Sequence, residues 1–268
     1  MSRKKGGQSQ LPELVTDSDP LSCRAITTWR ERDAALIEVT AVITGLAGRD
    51  TPLRVDESGM GRLRALPTPA QRRAAKTGYR FSSELSERRI EFWDHIWRQS
   101  DLMEVRHQAL YAYQHRKLAR PEVRVILGWI DDCACWEHSD DLSKIYADVV
   151  EANPGWILPT LNRWNRAGNP WKRRQSVVAL IEYASKRKTF LPFETMIRQV
   201  VSLLDDEDYY VQKGVGWTIR EIGNAYPAET GEFMRRHAAR LSPQAWTGAT
   251  KNMDAPTKAK LKAIRQGR

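Results

Sequence analysis

Trp136 and Asp140 stand four residues apart in the stretch WEHSDDLSKIYADVV, whose apolar spacing is helical, so the two side chains share one helix face. A carboxylate held beside an aromatic ring can favour a developing positive charge and orient a water molecule. The same aspartate, with Ser139 and Asp141, also suits the first turn of a helix, where it would cap backbone N–H groups. The residues alone leave both readings open. A second cluster, Lys172-Arg173-Arg174, follows Asn169-Pro170 and so falls where a helix should begin. Cations at that end of the dipole cost about 0.3–1 kcal/mol each. Their placement suits a docked anion such as a phosphate, and the alternative is charges that simply point into water. In the third cluster, Val211, Val215, Ile219 and Ile222 form one helix face, while Lys213, Trp217 and Arg220 form another. Trp217 on the cationic side either packs against another part of the chain or touches a ligand. The sequence contains no Gly-rich phosphate loop, paired-histidine metal helix or serine elbow. Any enzyme chemistry therefore rests on a carboxylate and electrostatics. Cys133-x-Cys135 with nearby His138 lacks a second ligand pair and reads as buried thiols, so no metal and no cofactor is expected.

The elements that would position these residues recur. His107, Asp140, Arg174 and Lys213 stand 33, 34 and 39 residues apart, and the aromatics Trp136, Trp171 and Tyr210 stand 35 and 39 apart. Periods of that size belong to stacked helix pairs, in which equivalent positions line one continuous concave surface. Ile90, Trp93, Ile96 and Trp97 recur at helical spacing, and a second helix runs from Val105 through Tyr113 after a turn at Ser100-Asp101. Similar units follow at 123–150, 156–187 and 193–226, and residues 22–48 read as a further helix or helix pair. Gly, Pro and Asp crowd 48–69, which reads as a loop region, and no run alternates as a half-buried strand would. The fold expected is all-α, an α-solenoid with a concave basic groove. Residues 1–20 read as a disordered tail, 21–250 as a single domain and 251–268 as a basic C-terminal tail.

The 268-residue chain has a formal net charge of +10, and its charge comes in blocks. Residues 125–160 carry one Lys or Arg against seven Asp or Glu, whereas residues 161–200 carry nine against two. Folded into a stack, such blocks place a positive stripe on one face, the footprint of a polyanion-binding surface. Charges that merely keep the protein soluble are the alternative. No run approaches the roughly 18 to 20 apolar residues of a membrane span. Three cysteines give no disulfide framework, and the start, MSRKKGGQSQ, has no apolar core, which together suit a cytoplasmic protein.

Four segments carry a resemblance: residues 87–113, WEHSD at 136–140, NPWKRRQSVVAL at 169–180 and YYVQKGVGWTIREIG at 209–223. Over roughly residues 50–250 the chain resembles the AlkD-type DNA alkylation-repair glycosylases, which are built from HEAT-like repeats. The resemblance implies a monofunctional glycosylase. It would hydrolyse the N-glycosidic bond of cationic alkylated purines, of the N3-methyladenine and N7-methylguanine type, in duplex DNA. By match, Trp136, Asp140 and Trp217 would surround the damaged nucleotide's sugar and Arg174 would help hold the DNA, with Arg173 and Lys213 expected on phosphates. A monomeric, bacterial, nucleoid-associated protein is the corresponding expectation. Ser139, a polar residue inside the WEHSD element, and Asp141, a second acid beside it, depart from the family pattern. The alternatives are a non-catalytic HEAT-repeat DNA-binding protein and a protein-interaction scaffold.

Overall fold

The computed structural model describes residues 27–48, 50–56, 59–63, 66–181 and 191–267. The expected N-terminal tail, the start of the 22–48 helical segment and residues 182–190 of the third unit lie outside them. Among the described residues, thirteen α-helices follow in order. They are α1 (Trp29–Ala47), α2 (Thr68–Thr77), α3 (Ser86–Gln99), α4 (Met103–Tyr113), α5 (Arg120–Gly128), α6 (Trp136–Ala152) and α7 (Pro154–Trp164). Then come α8 (Pro170–Val178), α9 (Phe193–Val201), α10 (Tyr209–Ala225), α11 (Pro227–His237), α12 (Pro243–Ala249) and α13 (Ala255–Arg265).

Two layers arise from this order. Helices α2, α4, α6, α8, α10 and α12 pack each against the next, while α1, α3 and α5 form one part of a second layer and α11 and α13 another. Between the layers runs one apolar core, in which Trp93, Trp97, Trp129 and Tyr146 are fully buried. Trp97 and Trp129 stack at 5.4 Å, and the Trp97 indole N–H donates to the Trp129 carbonyl at 3.1 Å. The architecture is the expected α-solenoid of helical repeats.

Local chemistry sets the helix starts. Asn169 accepts from the Trp171 N–H at 2.8 Å, and Asp208 accepts from both Tyr210 and Val211 at 2.9 Å, as N-caps do. Ser100 closes α3 and its hydroxyl accepts from the Leu102 N–H, the turn that the sequence suggests, whereas the N-cap of α4 is Leu102, which makes no side-chain cap bond.

Two features depart from the sequence reading. The segment read as loop contains an antiparallel hairpin, β1 (Leu53–Val55) with β2 (Gly61–Leu63). Its strands are three residues long and β1 is exposed throughout, so no alternation could reveal it. The stretch read as a basic C-terminal tail includes α13, capped by Asp254, with Leu261 buried, and packed against α11. A single apolar anchor among lysines gives a weak periodic signal. Among the described residues no helix is long and apolar enough to cross a membrane.

Candidate active site

Helices α6, α8, α10 and α12, with Lys251 just after α12, supply the side chains of the site. Helix α6 begins at Trp136, with Cys135 as its N-cap residue, which places Asp140 in the second turn beyond the reach of a cap. Glu137 is the acid of the first turn, so the capping reading of Asp140 falls. Next to Asp140, Ser139 is fully buried, and its carbonyl and hydroxyl accept from the Gln175 side-chain amide at 2.6 and 2.9 Å. That clamp fixes the register of α6 against α8. It sets the neighbouring residue, Arg174, against Asp140, with Nη2 at 2.7 Å from Oδ1. The polar Ser139 therefore serves the helix contact.

Asp140 keeps 23% of its side chain exposed, Arg174 only 5%. Burial pushes the Asp140 carboxyl above its ordinary value, and the Arg174 and Lys144 cations pull the other way without cancelling it. The guanidinium carbon of Arg174 lies 6.0 Å from the centre of the Trp217 ring. Trp217 itself is half-buried, and its indole N–H donates to Glu221 at 3.2 Å. Trp136 is 46% exposed. Trp136, Asp140, Arg174, Lys213 and Trp217 all line one cavity of about 710 Å³.

Glycines bring these helices together. A Cβ on Gly214 would lie 3.1 Å from the Arg174 Cγ and 3.2 Å from a Val178 methyl. On Gly216 it would lie 2.8 Å from the Ala245 Cα, and on Gly248 it would lie 3.0 Å from the Gly216 carbonyl carbon. The glycines of VQKGVGW thus admit α8 on one side of α10 and α12 on the other.

Arg173 does not line this cavity. Its guanidinium forms a two-pronged pair with Asp206 at 2.6 and 3.3 Å and donates to the Ala167 and Gly168 carbonyls. Lys172 likewise pairs with Asp131 at 2.5 Å. The anions that make a cationic helix start tolerable are the protein's own carboxylates, and spacing alone could not locate them. Trp171 and Tyr210, two rungs of the aromatic ladder, pack on each other at 5.2 Å. Sequence reasoning missed the far wall, made of Gln244, Thr247 and Gly248 of α12 and Lys251 just after it. Only the basic balance of the last residues hinted at Lys251, which fell outside the domain boundary drawn at 250.

Cys133 and Cys135 are buried, and burial raises both thiols, that of Cys135 to about 12. Among the described residues no group of three or more His, Cys, Asp or Glu could hold a metal ion.

The sequence pattern of the DNA alkylation repair enzymes matches residues 60–253. The chain belongs to this DNA alkylation repair enzyme family. It is accordingly a repair enzyme with DNA as its partner. Its fold is similar to that of AlkD2 from Streptococcus mutans, with a TM-score of 0.57 at 18% identity, over 82% of this chain and 100% of that one. It is also similar to a predicted DNA alkylation repair enzyme from Enterococcus faecalis. There the TM-score is 0.61 at 16% identity, over 86% of this chain and 99% of the other. At such identities the likeness is one of fold. No curated protein matches the chain.

Proposed function

We propose that this repair enzyme is a monofunctional DNA glycosylase that hydrolyses the N-glycosidic bond of cationic alkylated purines in duplex DNA. The observation that carries the reading is Asp140, a partly exposed carboxylate fixed by Arg174 and set in a cavity with Trp136 and Trp217. An N3- or N7-alkylated purine already bears positive charge. As its C–N bond breaks, the electron pair goes to the base, which leaves neutral, and positive charge moves onto the sugar. A carboxylate about 4 Å away favours that charge by roughly 4 kcal/mol at an effective dielectric near 20, about a thousandfold in rate. Water then supplies the new bond at C1′, and Asp140 takes up or relays its proton.

The rest of the cavity suits the sugar–phosphate backbone. The faces of Trp136 and Trp217 attract a cationic sugar. Lys213 and Lys251 line the same space as Arg174. Phosphates are what such donors bind. We also place the enzyme, as a monomer, in the bacterial cytoplasm at the nucleoid.

Incubation with N-methylated duplex DNA and assay of free bases tests the reading. Release of 3-methyladenine or 7-methylguanine above background is the expected outcome. Duplex binding that weakens with salt, without release, would leave a DNA-binding protein in its place.

A further inference from the structure

Trp217 and Arg220 line the large cavity from α10, whereas Glu221, the next residue, does not. Its carboxylate instead gathers donors from its own helix. Oε1 accepts from the Trp217 indole N–H at 3.2 Å and from Nε and Nη2 of Arg220 at 3.0 and 2.9 Å. Oε2 accepts from the Asn224 side-chain amide at 2.9 Å. Trp217, Glu221 and Asn224 stand at i, i+4 and i+7, so all three share one helix face. The remaining Arg220 nitrogen, Nη1, reaches the Gly248 carbonyl of the far wall at 3.4 Å.

The orientation of the Trp217 ring decides what it can do. An indole has a negative face and a positive edge, so it attracts a cation only across its face. The second side-chain torsion of a tryptophan is broad, and a half-buried ring on a cavity wall is free to turn about it. The bond from Nε1 to Glu221 removes that freedom. It leaves the ring with the Arg174 guanidinium 6.0 Å from its centre. A carboxylate acceptor also polarises the indole, which strengthens the attraction of its face for positive charge. The neighbouring Arg220 cation offsets the charge of Glu221 itself.

We infer that Glu221 is a positioning residue, which holds the face of Trp217 toward the sugar as positive charge develops there. Through Arg220 it also ties that ring to the α12 wall. The inference rests on the glycosylase reading for the sugar. The brace itself rests on the hydrogen bonds around Glu221.

Two measurements test it together: base release from methylated duplex DNA at saturating enzyme, and solvent exchange of the Trp217 indole proton. Loss of one indole signal in Trp217→Phe identifies that proton. It should exchange about tenfold more slowly than the indole proton of exposed Trp29, the protection that one hydrogen bond confers. In Glu221→Ala that protection should disappear and release should slow about tenfold. Duplex affinity should hold or tighten, since a negative charge leaves the edge of the groove. Glu221→Gln keeps an oxygen that accepts from the indole, so both protection and release should stay near the original values. A folded Glu221→Ala protein with unchanged release overturns the inference, as does an equal loss of release in Glu221→Gln. So does a Trp217 proton that exchanges as fast as that of Trp29, a comparison that needs no change at Glu221. If the unaltered protein releases no base, the glycosylase reading falls and the role of Glu221 in it falls too. The exchange rate still decides whether Glu221 holds the ring.

Discussion

The Arg174 guanidinium lies 2.7 Å from Asp140 and keeps two further N–H positions, Nε and Nη1, without a protein partner. One almost fully buried cation thus fixes the carboxylate. Asp140→Asn preserves the oxygen that Arg174 binds and removes the charge. Base release should fall about a thousandfold, the value of a carboxylate beside a cationic sugar. Duplex affinity should hold or tighten, since a negative charge leaves the groove. A variant with normal release would reduce Asp140 to an anchor for Arg174.

The ionisation of Asp140 gives a second prediction. Burial raises its carboxyl and Arg174 lowers it, with burial the larger. The reaction needs the ionised form, so the acid limb of the rate profile should lie above the ordinary carboxylate range. Arg174→Gln removes the opposing cation and should move that limb to higher pH still. For stability the sign is the reverse of a salt-bridged acid. A raised folded-state value means that ionising Asp140 costs stability, which is recovered as pH falls through that value. A pH–rate series on both proteins decides it, and a limb that stays put would place the titrating group elsewhere.

Much of this site was legible in the sequence because its logic is periodic. The spacing of Asp140, Arg174 and Lys213 reflects one repeat per helix pair, and in the structure those residues line one cavity. Polarity at Ser139 was visible, but its buried partner Gln175 is 36 residues away and carries no signature. Arg173 shows the limit most clearly. It adjoins Arg174 and shares its chemistry, yet a rotation of one residue about α8 sends it to Asp206. The short hairpin and α12 were missed for another reason, since elements of three to seven residues present too few apolar positions to show a period.

The divergence between a cation that lines the groove and one that does not can be measured. Lys213 lines the groove, with its ammonium 5.3 Å from the Tyr209 ring centre. Lys213→Ala should weaken duplex binding across sequences and reduce the slope of log affinity against log salt by about 0.9. Arg173→Ala should leave that slope unchanged and lower stability, because it strands Asp206, whose side chain is 9% exposed. Salt titrations and thermal melts on the two variants separate these outcomes, and a reduced slope for Arg173→Ala would return that residue to the DNA.

Close packing of α10 on α12 predicts a third contrast. Gly216→Ala forces a methyl group against the Ala245 backbone, which cannot move aside as a flexible side chain would. Overpacking of this kind costs about 1–3 kcal/mol, and at about 2–4 °C per kcal/mol the melting temperature should fall by several degrees. A methyl group on Gly155, near the start of α7, would meet nothing within 4 Å, so Gly155→Ala should be neutral or stabilising by about 0.4–1 kcal/mol. Equal melting temperatures for the two variants would mean that the helices separate without cost.

The two histidines behind Trp136 set the acid stability of the domain. His107 is held to about 4 and His138 well below its ordinary value, both through burial, and their rings meet edge to face at 4.7 Å. An unfolded histidine titrates near 6.5. Between that pH and about 4 the unfolded chain binds a proton at each ring that the folded chain refuses. Stability must therefore rise with pH across this window, by about 1.4 kcal/mol per pH unit for each histidine, and flatten above it. Asp140 works in the opposite direction, and so the histidine contribution is best read in an Asp140→Asn background. Urea midpoints measured from pH 4.5 to 7.5 should show the rise, and His107→Gln should remove about half of it. A flat profile would mean that both rings take up their protons inside the fold, and half the rise would mean that one does, with Asp141, 3.4 Å from His107, as its counter-ion.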